Sequence, residues 1–158
     1  MRQTARRKSF IVATMVAAGS LTIGLVPAVA DNIGNQGCTP GYWKNHTSNW
    51  EEYTPSQKLK TVFTFPSRLS SFGEKTMLQG LQGGGGSGID GAATILLRAS
   101  TAAFLNAAHE GVGYPMRRFD DPGRLRQRIN AALASLNRDT MLKLATELDK
   151  ANNLGCPL

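Results

Sequence analysis

Apolar residues fill residues 90–109 so densely that this stretch predicts the helix around which the rest of the chain is built. Ala and Leu dominate it and favour helix, Asp90 is a suitable N-cap, and Gly111 stands where a helix stop belongs. A helix that is apolar nearly all round lies either among other helices or in a membrane. Arg98 in its middle argues against lipid, so we predict the central helix of a small bundle.

Helical periodicity continues after this stretch. Asp121-Pro122 is a typical helix opening, and Asp139 is a suitable cap for a last helix. Spacings of four, four and three residues place one apolar stripe on the first of these two helices, at Leu125, Ile129, Leu133 and Leu136. We therefore expect a helical hairpin over residues 122–151, packed on the helix of residues 90–109.

Three shorter helices are predicted before the central one. The first begins at Pro40 after a Thr39 cap, the second at Pro55 after a Thr54 cap, and the third at Glu74. No alternation of period two predicts a strand. The fold class is therefore all-α: a bundle of five or six helices in one domain over residues 38–158, with a Gly-rich hinge at residues 83–88.

Residues 1–30 have the pattern of a secretory signal peptide. Basic residues open it, an apolar run follows, and Ala28-Val29-Ala30 matches a cleavage site after Ala30. The run is short for a membrane anchor, and no transmembrane segment is expected after cleavage. Arg6-Arg7 leaves the twin-arginine export route open as an alternative. We predict a secreted protein whose residues 31–37 form a flexible lead-in.

The net charge of +7 overstates how basic the mature chain is. Four of the 18 basic residues and none of the 11 acidic ones lie in residues 1–30, which leaves 14 against 11, a net charge of +3. That value is ordinary for a soluble domain, so composition does not indicate a nucleic-acid partner. It leaves a wall polymer and an acidic lipid surface open as partners without indicating either.

The two cysteines, Cys38 and Cys156, lie close to the two ends of the mature chain. In an exported protein such a pair favours one disulfide, which would tie the first helix to the tail. A catalytic or metal-binding cysteine is the alternative, but no Cys-x-x-Cys motif or neighbouring His supports it. We expect no metal site and no cofactor.

Aromatic and polar residues cluster just after Cys38. Helical spacing would place Trp43, His46 and Trp50 on one face and Tyr42 with Asn45 on an adjacent one. Large aromatics with a polar edge suit a face that binds sugars or proteins, but they also pack well on a central helix. We expect the shared face to be buried. The candidate binding residues are Tyr42, Trp43, Lys44, Asn45, His46 and Trp50, of which Tyr42, Lys44 and Asn45 are the expected exposed members.

Catalytic candidates are few. His46 and His109 are the two histidines, and they could share a metal or act as a base and its helper if they met in space. No His-Glu-x-x-His or Gly-x-Ser-x-Gly motif accompanies them. A structural role for each histidine is the favoured interpretation.

The sequence Cys-Thr-Pro-Gly-Tyr-Trp-Lys-Asn-His at residues 38–46 resembles a signature of an uncharacterised group of secreted and surface proteins of bacteria and archaea. In that group the signature precedes an Ala/Leu-rich helix ending in a Leu-Asn-Ala type of sequence, to which Leu105-Asn106-Ala107 is similar. Such proteins often accompany adhesin-like or wall-anchored modules. The resemblance implies an extracellular role and supplies no catalytic residue.

Together these observations favour a secreted, non-enzymatic helical domain that binds a cell-surface, matrix or protein partner. The alternative is an extracellular hydrolase or metal-dependent enzyme that uses His46 and His109.

Overall fold

The computed structural model describes residues 34–119 and 124–158. The predicted signal peptide, the first part of the predicted lead-in and the Asp121-Pro122 opening lie outside these residues. Six α-helices and three short 3-10 turns occur in the described part, and no strand does. The helices are α1 (Pro40–Asn45), α2 (Ser70–Gly73), α3 (Met77–Leu81), α4 (Gly88–Ala108), α5 (Leu125–Ala134) and α6 (Arg138–Asn152). The all-α prediction is confirmed.

The helix α4 is the centre of the molecule, as its composition predicts. Fourteen of its 21 residues are buried, and α1, α3, α5 and α6 all pack against it. Phe104 on α4 holds an aromatic cluster together, with its ring centroid 4.9 Å from that of Phe63, 5.9 Å from Phe119 and 6.1 Å from Tyr53. None of the helices in the described part is long and apolar enough to cross a bilayer.

The start of α4 corrects one prediction. The helix begins at Gly88 with Ser87 as its cap residue, so Asp90 lies in the first turn instead of capping it. There the Asp90 carboxylate lies 2.8 Å from the Arg68 guanidinium, and an acidic group in this position complements the helix dipole. Arg138 donates hydrogen bonds to the carbonyls of Gly86 (3.2 Å) and Gly88 (2.7 Å), which attaches the Gly-rich segment to α6.

The hairpin of α5 and α6 packs on α4 as predicted. Leu125, Ile129 and Leu133 are buried, whereas Leu136 lies half-buried in the connection with a φ of 48°. The cap of α6 is Asn137 and not Asp139, because the Asn137 side chain accepts the N–H of Thr140 at 2.9 Å.

The second predicted helix does not form. Residues 59–61 make a single 3-10 turn, although Leu59, Val62 and Phe63 are buried as expected. The backbone pairs with a distant segment instead: the Leu59 N–H donates to Lys75 at 2.9 Å, and the Met77 N–H donates to Gln57 at 2.8 Å. These long-range bonds replace the local ones that a helix requires.

The two ends of the domain are joined. A disulfide links Cys38 to Cys156 with a Cα–Cα distance of 4.4 Å, as predicted. The Gly37 N–H donates to the Gly155 carbonyl at 3.0 Å, and Gln36 exchanges hydrogen bonds with Gly113. The described end of the predicted lead-in, residues 34–37, is thus attached to two other segments. A side chain at position 37 would overlap the Ala151 carbonyl, so this close approach requires Gly37.

Candidate functional site

The signature of residues 38–46 divides into a buried half and an exposed half. Cys38 and Trp43 are 0 % exposed. Tyr42 is half-buried, and Lys44, Asn45 and His46 face solvent. We call the set Tyr42, Lys44, Asn45 and His46 the α1 surface.

The buried half is held by the side-chain amide of Asn106 on α4. Its Oδ1 accepts the Cys38 N–H at 2.7 Å and the Trp43 indole N–H at 3.0 Å. Its Nδ2 donates to the Cys38 carbonyl at 2.8 Å and to the Asn152 side chain at 3.0 Å. The amide group therefore satisfies both its donors and its acceptor in the core, as a buried polar group must.

The Asn106 contacts continue into a wider buried polar network. The Asn152 amide donates to the Ala99 carbonyl at 3.0 Å, and its oxygen also accepts the Tyr114 hydroxyl at 2.9 Å. Burial raises the pKa of the Tyr114 phenol, so it remains a donor. The Asn106 network, comprising Cys38, Trp43, Asn106, Tyr114 and Asn152, fixes α1 to α4, to α6 and to the loop after α4. Through Asn106, this network gives the Leu105-Asn106-Ala107 sequence a structural role.

Local contacts around Tyr42 stabilise the exposed half. Thr39 caps α1 by accepting the Tyr42 N–H at 3.1 Å, as predicted. The ring of His46 stacks on that of Tyr42, with centroids 4.3 Å apart and planes 14° from parallel. The Tyr42 hydroxyl accepts a hydrogen bond of 2.7 Å from Asn49. The α1 surface therefore presents an ordered aromatic pair beside the exposed amide of Asn45 and the cation of Lys44.

The predicted common face of Trp43, His46 and Trp50 is wrong, because α1 ends at Asn45. His46 leaves helical geometry with a φ of −122° and a ψ of 57°. Trp43 alone is fully buried. The half-buried Trp50 folds back and donates its indole N–H to the Trp43 carbonyl at 3.0 Å, which satisfies an end of α1.

The two histidines have separate partners. His46 Nδ1 lies 2.9 Å from the Tyr42 carbonyl. His109 Nδ1 accepts the Gly111 N–H at 3.0 Å, which leaves Nε2 to carry the proton of a neutral ring, 3.5 Å from the Glu51 carboxylate. Throughout residues 34–119 and 124–158, no group of three His, Cys, Asp or Glu side chains could hold a metal ion.

A groove of about 480 Å³ lies beside the α1 surface. The sequence patterns described above do not predict it. It runs between α1, the loop after α3, and the facing sides of α4 and α6. Its lining consists of Thr39, Pro40, Gly41, Lys44, Leu81, Gln82, Gly83, Gly84, Arg98, Asp149 and Asn153. The sequence signal for it was Arg98, a charge in the middle of an apolar helix.

Arg98 and Asp149 give the groove an unusual electrostatic character. The buried Nε of Arg98 has no hydrogen-bond partner within the described ranges, and its Nη1 reaches the Gly84 carbonyl only at 3.5 Å. Burial raises the pKa of Asp149, and the positive charge of Arg98 offsets part of that effect. The two groups influence each other without forming one of the ion pairs found within 4.0 Å in the described part of the chain.

Comparison of the chain with protein-family models, with curated proteins and with solved structures yields no match.

Proposed function

We propose that this protein is an exported, non-enzymatic binding domain that attaches to a polymer or protein of the cell surface or matrix through its α1 surface. The main support is the division of the 38–46 signature. Cys38 and Trp43 anchor α1 from below, through the disulfide and Asn106, while the neighbouring side chains are left on the outside.

The exposed chemistry suits recognition. The Tyr42–His46 stack offers a flat aromatic surface, and Asn45 and Lys44 add an amide and a cation on the same short helix. Because the disulfide and the Thr39 cap already order this helix, binding to it loses little conformational freedom. The resemblance to secreted and surface proteins supports the same location.

The contacts of the histidines do not favour the alternative, a hydrolase or metal-dependent enzyme. His46 is stacked on Tyr42, and His109 is hydrogen-bonded to Gly111 and lies beside Glu51. A catalytic pair would instead require converging ring nitrogens in an open cleft.

The proposal is tested by sedimentation of the purified protein with isolated cell envelopes and with their polysaccharide and protein fractions. The triple variant Lys44→Ala, Asn45→Ala, His46→Ala removes exposed side chains only. It should lose co-sedimentation while its melting temperature stays within a few degrees of the wild type. Tyr42→Ala is less suitable, because the Tyr42 ring also packs against Trp43 with centroids 5.3 Å apart.

The control is Lys143→Ala, which removes an exposed lysine on α6 that borders α5 residues such as Arg128. It should sediment as the wild type does. Retention of the triple variant, or absence of sedimentation by the wild type with every fraction, overturns the proposal.

A further inference from the structure

The groove beside the α1 surface contains an arginine, Arg98, that forms no ion pair within 4.0 Å in the described part of the chain, although Asp149 lies in the same groove. Arg98 brings five N–H donors to this region, but its Nε is buried and unbonded among the described residues. Within the described ranges its one hydrogen bond is the 3.5 Å contact from Nη1 to a neutral carbonyl, that of Gly84. Arg98 therefore retains the capacity to bind an anion.

A second cation lies on the same groove. Lys44 comes from α1, is exposed and forms no ion pair with any residue that the structure describes. A planar guanidinium binds a carboxylate with two parallel hydrogen bonds, and an ammonium adds a point charge beside it. Two cations against the single acidic residue of the lining, Asp149, leave the groove with one excess positive charge, which favours the binding of one carboxylate group.

The rest of the lining favours a ligand rich in hydroxyl groups. Thr39, Gln82 and Asn153 contribute polar side chains, and the glycines on either side expose backbone groups. Two apolar side chains, those of Pro40 and Leu81, complete the lining beside the glycines. Asp149 adds an acceptor that suits a hydroxyl group.

We propose that this groove binds a uronic-acid residue of an acidic polysaccharide, with the sugar carboxylate on Arg98 and Lys44 and the ring hydroxyls on Asp149 and Asn153. This inference rests on the proposed function and specifies its partner. Tyr42 and His46 do not line the groove, so the sugar residue is assigned to the groove residues alone.

The test is calorimetric titration of the full chain with oligomers of galacturonate, mannuronate–guluronate and glucuronate–N-acetylglucosamine. We expect at least one oligomer to bind, and its methyl ester, which lacks the charge, to bind at least tenfold more weakly. Arg98→Gln should weaken binding at least tenfold, and Lys44→Gln a few-fold. Arg98→Lys should restore part of the loss, since it keeps the charge without the bidentate geometry.

Lys143→Gln is the matched control, because it removes the same charge from an exposed position outside the groove. It should bind as the wild type does, and thermal melting should show that all variants fold. Binding of none of the oligomers, equal binding of the ester, or unchanged binding by Arg98→Gln overturns the inference.

Two further arms identify other ligands. Equal or tighter binding of a poly-glutamate peptide, or of inorganic sulfate alone, replaces the polysaccharide with a peptide or a simple anion and also overturns the inference. The proposed function is judged by a separate result. It stands if the wild type sediments with envelope material and the Arg98→Gln variant still binds that material.

Discussion

Asn106 and Arg98 are polar residues on the same helix, eight positions apart, and they have opposite hydrogen-bonding states. Asn106 is 0 % exposed and makes four hydrogen bonds to Cys38, Trp43 and Asn152. Arg98 lies at the edge of a groove with its Nε unbonded in the described structure. A fully satisfied buried amide specifies a fold, whereas an incompletely satisfied cation at an opening is available to a ligand.

The contrast also separates the two halves of the 38–46 signature. The residues that Asn106 contacts are buried and hold α1 against α4 and α6. Lys44, which lines the groove with Arg98, is exposed and could change without loss of the fold. Substitutions should therefore affect stability near Asn106 and binding near Arg98.

The largest effect should follow from Asn106→Leu. This change leaves the Cys38 N–H, the Cys38 carbonyl and the Trp43 indole N–H without partners in the core. At about 1–3 kcal/mol for each orphaned group, the free energy of unfolding should fall by roughly 5 kcal/mol. Urea denaturation measures the loss.

Trp43→Phe provides a graded comparison, because it removes only the indole donor and some volume. It should cost less than Asn106→Leu. If Asn106→Leu costs under about 1 kcal/mol, the network is not what fixes α1.

Removal of the disulfide should have the next largest effect. The Cys38→Ser, Cys156→Ser variant releases a link with a sequence separation of 118 residues. The chain-entropy estimate for so long a loop is about 4–5 kcal/mol, and measured values are often nearer 3 kcal/mol. We expect about 3 kcal/mol in urea denaturation.

The hydrogen bonds between the Cys38 backbone and the Asn106 side chain do not involve the sulfur atoms, so the Asn106 network should survive this double substitution. A slowly exchanging Trp43 indole proton in NMR spectra would show that it has. Rapid exchange of that proton at low denaturant would mean that the disulfide and the network are one cooperative unit.

The sequence predicts the second half of the molecule better than the first, and the reason is physical. Helix α4 is predicted by its long, densely apolar composition, and α5 and α6 are long enough for their apolar periodicity to predict them. In residues 54–81 the backbone is fixed by pairing across distance, such as Leu59 with Lys75, which no local pattern reveals. The capping signal at Thr54 predicts a helix start, but the structure has there a turn and a weak 3.4 Å hydrogen bond from the Thr54 N–H to the Gln57 side chain.

The candidate site was predicted in part. Exposure of Lys44 and Asn45 and burial of Trp43 follow the sequence interpretation, but the end of α1 at Asn45 separated Trp43 from His46. Asn152 carried no sequence signal, because a polar residue near the end of an amphipathic helix is ordinarily exposed. The groove forms where α1 and α6, which are distant in sequence, meet near Arg98, so no local sequence pattern predicts it.

A smaller effect on stability is expected from Arg98→Met. The methionine keeps the apolar stem of the arginine and removes a buried donor that has no partner among the described residues. The free energy of unfolding should therefore change by less than about 1 kcal/mol, in either direction, in urea denaturation. A loss above about 2 kcal/mol would show that Arg98 supports the fold and would weaken its contrast with Asn106.

The smallest effect concerns an arginine that does have a partner. Arg128 forms an ion pair with Glu147 on α6, and this hydrogen bond lowers the pKa of the Glu147 carboxyl. A carboxyl whose pKa is lower in the folded state stabilises the fold above its ordinary pKa, and the contribution disappears as the pH falls through the lowered value. Arg128→Gln should therefore raise the pKa of Glu147 in NMR titration. It should also destabilise the protein near pH 7 by at most about 1 kcal/mol, since the pair is partly exposed. The difference in stability between the variant and the wild type should vanish in strong acid.

Lys60→Gln, which breaks the distant pair with Glu74, should leave the pKa of Glu147 unchanged. If Arg128→Gln also leaves the pKa of Glu147 unchanged, the ion pair has no measurable effect on this carboxyl. Ion pairing would then no longer distinguish Arg128 from Arg98.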